Sequence, residues 1–162
     1  MFLKRFILAE MFFLRWCAII IIMNDEKVIQ SYSHVGDGFC PLLIRPGWQV
    51  SQLNDRADLH ADTVCQIERH DLTDEVFLLV KGDAALVVGV EVADGMTVET
   101  LRMESGVTYN IPRGVWHTIV TTPGMQVMIV ERDNTHVNDV VHRILMEGER
   151  AELRAKLSEE RF

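Results

Sequence analysis

The sequence predicts an all-β domain, and three observations carry that prediction. From Gly47 onwards, short runs rich in Val, Leu and Ile alternate with Gly, Pro and Asp turn residues at close, regular spacing, the pattern of a sandwich or barrel. No stretch of helical periodicity interrupts these runs, so an alternating βαβ architecture is not expected. The runs 76–80 and 84–88 are apolar at every position, whereas a strand with one face in water alternates apolar and polar residues. Both faces of these strands therefore need cover. A second sheet, the N-terminal segment or another subunit can supply it, and a homodimer is the simplest source for a chain of 162 residues.

Taken in order, the first element stands apart. Residues 1–22 are apolar but broken by Lys4, Arg5, Glu10 and Arg15. A bilayer span needs about 20 apolar residues, and a charge near its centre costs roughly 2.5–3.5 kcal/mol on insertion scales. The longest unbroken run, 16–23, is too short to cross, and no small-residue cleavage site follows it. A weak anchor and an unusual signal peptide are competing readings. We adopt a third, translated upstream sequence with Met23 as the start, because Asn24-Asp25-Glu26-Lys27 reads as an ordinary polar N-terminus. The expected organisation is an apolar segment 1–22 outside the native chain, a barrel over 23–146 and a helix over 147–162.

Within the barrel, strands are expected at 48–53, 63–70, 75–81, 84–91, 97–103, 107–111, 115–122 and 125–131. Gly82-Asp83 reads as a two-residue hairpin turn between the third and fourth of these. Ala93-Asp94-Gly95 and Pro123-Gly124 mark further reversals. In the terminal helix, Leu153 and Leu157 share a face and Glu152 precedes Lys156 in the favourable i,i+4 order, so it is expected to pack over the barrel or a partner.

The formal net charge of −8 argues against nucleic acid and anionic membrane surfaces, both of which require a basic face, and fits a soluble cytoplasmic protein. Cys17, Cys40 and Cys65 show no CxxC or CxxH spacing, so structural zinc is not expected, and Cys65 reads as a small buried apolar residue. There is no P-loop, GxGxxG, HExxH or GxSxG.

The chemistry lies in two stretches. The first contains His70, Glu75 and Gly82 at the spacing H-x4-E-x6-G, and the second contains Gly106, Pro112, Gly114 and His117 at G-x5-P-x-G-x2-H. With His70 ending one strand and Glu75 opening the next, antiparallel pairing would bring their side chains together. Glu68 lies two residues before His70 and so shares its face. His117 lies mid-strand, and an inward imidazole there costs desolvation unless something occupies its nitrogens. Pro112 and Gly114 preset the turn that aims it. A divalent cation would satisfy His70, Glu75 and His117 together, a two-imidazole, one-carboxylate set that suits iron and is also accepted by zinc, manganese and nickel.

Over about 47–131 these stretches resemble the two signature motifs of the cupin family. The second is nearly complete, with Thr121 where the family has Asn. The first is incomplete, with Asp62 in place of its opening Gly and Glu68 in place of its first His. The resemblance implies a double-stranded β-helix, a jelly-roll-like barrel with one divalent metal ion (Fe, Mn, Zn or Ni) held by His70, Glu75 and His117. Glu68 takes the candidate catalytic position, as a general base or as an added oxygen ligand. The implied function is an isomerase- or dioxygenase-like enzyme acting on a small polar metabolite such as a sugar or a keto or hydroxy acid. A non-enzymatic small-ligand-binding or sensing barrel is the alternative.

Other candidates are weaker. His34, His60, His136 and His142 read as surface residues, with His142 near the barrel mouth as a variant. Trp48 and Trp116 read as core or rim packing. Among Arg45, Arg69 and Arg113, the last is best placed to meet an anionic substrate, because it lies within the Pro112–Gly114 turn.

Overall fold

The computed structural model describes residues 29–162, so the segment 1–22 and the start at Met23 lie outside the described residues. The strands are β1 (Phe39–Arg45), β2 (Trp48–Asn54), β3 (Gln66–Arg69), β4 (Glu75–Lys81), β5 (Ala84–Val92), β6 (Gly95–Arg102), β7 (Thr108–Ile111), β8 (Trp116–Thr121), β9 (Gln126–Glu131) and β10 (Val141–Ile144). A 3-10 turn spans Ala57–Leu59, and two helices, α1 (Thr135–Asn138) and α2 (Glu147–Glu159), follow β9 and β10. The strands form two antiparallel five-stranded sheets, β1-β2-β9-β4-β7 and β10-β3-β8-β5-β6. The expected all-β barrel with a short C-terminal helix is what the chain forms.

Two strands lie outside the expected set. β1 carries Pro41 beside a register shift, which is tolerated because β1 is an edge strand and proline has no N–H for a ladder. β10 is a four-residue edge strand that follows α1, too short to show alternation.

The expected hairpin at Gly82-Asp83 is a correction. β4 pairs with β7 and β9, whereas β5 pairs with β6 and β8, so the turn carries the chain from one sheet to the other. It is tight for a physical reason. Gly82 has φ +76°, and a Cβ there would fall 2.7 Å from the Met125 Cα, so the crossover at 82–83 packs directly on the one at 123–124. A tight turn is present as its residues imply, but two residues with positive-φ tolerance do not specify which sheet the next strand joins.

The barrel interior between the sheets holds Leu53, Phe77, Leu79, Leu86, Ile119, Met125, Val127 and Ile129. The alternate residues of β5, Ala85 and Val87, face the other way and pack with Ile67, Val98, Trp116 and Val120 against Leu153 and Leu157 of α2. This is why β5 is apolar on both faces. α2 is fastened by Glu149, a buried carboxylate that accepts both Arg143 guanidinium bonds (2.6 and 2.8 Å) and the Met146 N–H at 2.7 Å. The outer face of the other sheet carries Val76, Leu78, Val80 and Val130 at partly or fully exposed positions. Among the described residues no helix is long and apolar enough to cross a membrane.

Candidate metal centre

His70 stands one residue past the end of β3, and Glu75 opens β4. These strands lie in different sheets, so the expected cross-strand pairing of the two side chains is corrected: they meet across the barrel interior, after the 71–74 loop has changed sheets. His70 Nε2 lies 3.3 Å from Glu75 Oε2. His117, on β8, brings its Nε2 to 2.7 Å from the same oxygen. Glu68 pairs directly opposite His117, and His142 pairs opposite Glu68, so Glu68 shares the inward face as its spacing from His70 required. One potential ligand atom from each of Glu68, His70, Glu75 and His117 lies within 4.8 Å of the others. His70, Glu75 and His117 are 4%, 5% and 2% exposed, so water cannot solvate these charges and they must satisfy one another. Glu68 is less enclosed.

The second nitrogen of each ring decides what the first can do. His70 Nδ1–H donates to the Asp139 carbonyl at 2.5 Å, and His117 Nδ1–H donates to the Val115 carbonyl at 2.9 Å. Both Nε2 atoms are thereby aimed at Glu75, and an N···O approach of 2.7 Å needs a positive centre there, either a proton or a metal ion. With protons, burial by itself would lower both histidines, but the Glu75 carboxylate outweighs it, raising His117 and taking His70 up to about 9. Burial pushes Glu75 upward, yet the two imidazoles win and hold it below its ordinary value. Glu68 is raised, first by burial and then by the Glu75 charge. For a metal, the donor chemistry fits: donors about 2.0–2.2 Å from one ion sit within about 4.4 Å of each other, close to the observed spread. The four residues form a group that can hold a metal ion.

No family model matches the chain, and no curated protein matches it. Solved structures of similar architecture do. A cupin-2 domain protein from Shewanella frigidimarina is 20% identical, covering 59% of this chain and 79% of its own, with a TM-score of 0.39. KdgF from a Halomonas species is 15% identical over 59% of this chain and 77% of its own, at 0.42. A Streptomyces protein, PAC13, solved with uridine, is 13% identical over 69% and 84%, at 0.48. At TM-scores below 0.5 this likeness carries no argument by itself. The two five-stranded sheets, with the histidines of both motifs turned into one interior, decide the matter. The chain has the cupin fold.

In this cupin barrel the group faces a cavity of about 380 Å³. Sequence reasoning missed a further acid in its wall, Glu131, the last residue of β9, which is 6% exposed. Gln49, opposite it on β2, accepts the Asn134 N–H through Oε1 at 2.8 Å, so its amide nitrogen must be the donor to Glu131 Oε1 at 2.7 Å and to His136 Nδ1 at 3.3 Å. Burial, then the Glu75 charge, pushes Glu131 up to about 7. The signal available was its position at the end of an alternating run, with Val127 and Ile129 on the same face.

Several minor expectations are corrected. His136 lines the cavity rather than the surface, because α1 folds over the barrel end, and burial lowers its pKa. His34 is buried, with its backbone N–H donated to Gln52 and its carbonyl accepting from Gln52 and Asn54. His60 is half-buried and pairs with Asp55 at 2.7 Å. His142, by contrast, is exposed and borders the cavity beside Glu68, in line with the surface reading and its barrel-mouth variant. Cys65 is exposed, because β3 starts only at Gln66 and the residue precedes its alternation. Arg113 is exposed and outside the cavity lining; the arginine found there is Arg56. Arg69 stacks over Trp116 on the outer side, 4.7 Å from the ring centroid, and Trp116 is core.

Proposed function

We propose that this cupin is a cytoplasmic metal-dependent enzyme that interconverts a small polar metabolite by moving a proton, an isomerase-like reaction. His70, Glu75 and His117 hold one divalent ion (iron, manganese, zinc or nickel), with Glu68 beside them as base or oxygen ligand. The observation that carries the reading is the convergence of two buried imidazoles and a carboxylate in a cavity that also contains a separate buried acid, Glu131.

A bound ion would supply Lewis acidity toward a substrate oxygen. The chain's own residues do the rest. Gln49 fixes Glu131 through Oε1 at 2.7 Å, and the Thr135 hydroxyl is a second polar neighbour of the carboxyl. A carboxyl near neutrality can both take and return a proton, which is what a proton shift requires of a general acid–base group. Phe39, Leu53, Phe77 and Ile129 line the same cavity and limit the water that would compete for that proton. The buried acid Glu131 favours isomerisation over dioxygenation, which asks for oxygen and an electron source. The open apolar patch of Val76, Leu78, Val80 and Val130 supports a homodimer, readable by sedimentation of the full chain.

Protein purified without chelators is expected to carry close to one divalent ion per chain by elemental analysis, and the His70→Ala/His117→Ala double variant none. Stoichiometric metal in that variant sinks the site. A panel of sugars and keto and hydroxy acids, incubated in D2O, should reveal one compound that gains carbon-bound deuterium. Oxygen uptake instead would indicate a dioxygenase, and tight binding without turnover a sensing barrel. Glu68→Gln separates that residue's roles: weaker metal binding marks a ligand, intact metal with lost turnover a base.

A further inference from the structure

His70 has a difficulty that His117 does not. It lies just beyond the last residue of β3, where its carbonyl accepts the Gly114 N–H at 2.7 Å rather than a ladder bond, yet its ring must present Nε2 and no other atom to Glu75. Its Nδ1–H reaches a carbonyl 69 residues away, that of Asp139, at 2.5 Å. Asp139 follows α1 directly, its N–H donating to the Thr135 carbonyl at 2.9 Å, and precedes β10. Its side chain supplies a second anchor, on the loop that follows His70. Oδ1 accepts the Asp71 N–H at 3.0 Å and Oδ2 accepts the Leu72 N–H at 2.8 Å, the two amides that follow His70.

We infer that Asp139 is a positioning residue of the metal centre, clasping the start of the 71–74 loop with its carboxylate so that its own carbonyl locks His70 in the Nδ1–H tautomer. The inference rests on the metal reading above. Asp139 does not line the cavity and is not one of the four potential ligands; it acts through His70. The clasp requires a carboxylate, because two successive N–H groups each take a separate oxygen. Asparagine offers one acceptor and sets an NH2 against the other N–H, and alanine offers neither. Outer partners of this kind typically change metal affinity by about 10–100-fold.

The test uses the full chain, stripped with chelator and titrated with Co2+, whose d–d bands report the ligand field. Asp139→Ala and Asp139→Asn are expected to bind Co2+ about 10–100-fold more weakly than the unaltered chain, with altered bands, alanine being the worse, while circular dichroism stays that of a folded barrel. Because alanine could unfold the loop, the asparagine variant, which keeps one oxygen, is the arm that isolates positioning. Unaltered Co2+ affinity and bands in both variants overturn the proposal. Nitrogen-15 NMR of the histidine rings separates its failure from that of the metal reading. A His70 Nδ1–H that is protected in the unaltered chain and lost in the variants upholds the clasp even if Co2+ fails to bind, whereas a His70 protonated on Nε2 alone overturns it.

Discussion

His117 and His70 bring the same ring atom to the same carboxylate oxygen, but from opposite kinds of backbone. His117 lies inside β8, bonded to β3 on one side and β5 on the other, with all six residues of the strand buried. Its Nδ1 partner, the Val115 carbonyl, is two residues away, so the local backbone that aims the ring also satisfies it. His70 lies past a strand end and depends on the 71–74 loop, which is tied at one end by Asp139 and at the other by Asp74. Asp74 accepts the Arg113 N–H at 3.0 Å and the Asn110 amide at 3.1 Å. A ligand within a ladder takes its orientation from the register of the sheet; a ligand at a strand end borrows it from distant chain. The two halves of the site should therefore fail differently.

The largest effect removes the distinction altogether. His117→Ala should lose metal by at least about 100-fold, since a truncated ligand cannot be compensated by the remaining set, while the fold, built from apolar strands, persists by circular dichroism. Metal retained at full stoichiometry would show that the strand-held half is dispensable. Next is pH. Both imidazoles must be neutral to ligate, and His70 is raised to about 9 without metal, so protons compete until the pH passes that value. Metal affinity should climb steadily from pH 6 to 9, measured by competition with a chromophoric chelator. A flat profile would mean that neither ring titrates on binding.

Glu131 offers a strand-held control without a loop. Its folded pKa of about 7 lies above the ordinary 4.5, so the stability it contributes is complete below pH 4.5 and is lost as pH rises through 7. At about 1.4 kcal/mol per unit the loss approaches about 3 kcal/mol. Glu131→Gln cannot ionise and should gain on the unaltered chain by up to that amount between pH 4.5 and 8, read by urea denaturation of chelated protein. Parallel curves would place Glu131 in a far more polar setting than its burial indicates. The smallest effect sharpens the loop-held half: Asp74→Ala should weaken metal binding roughly tenfold by freeing the Glu75 end of the loop. Equal affinity would mean that β4 alone holds Glu75.

Much of this was legible beforehand because it is local. The run 75–81 was read with the bounds that β4 has, and 84–91 and 125–131 fell within a residue of β5 and β9, since alternation and turn residues are properties of a few consecutive positions. Glu68 was placed on the His70 face from a period of two and lies there, opposite His117. What failed was relational. The Gly82-Asp83 pattern suits a hairpin as well as the crossover it forms, and the spacing of His70 and Glu75 suits adjacent strands of one sheet as well as the meeting between two sheets that occurs. Nothing in the neighbours of His136 tells that α1 closes over the barrel and brings it to the cavity.

The sequence by itself determined the strand runs, the turns and the motif residues able to bind metal, because spacing, alternation and backbone freedom act over short distances along the chain. Only the tertiary structure decided which sheet each strand joined, and with it that Glu131 faces the same cavity as His117 and that Asp139 clasps the amides after His70. Those contacts span 14 and about 68 residues of chain respectively. They follow from how the crossovers thread two sheets together, and no local pattern records that path.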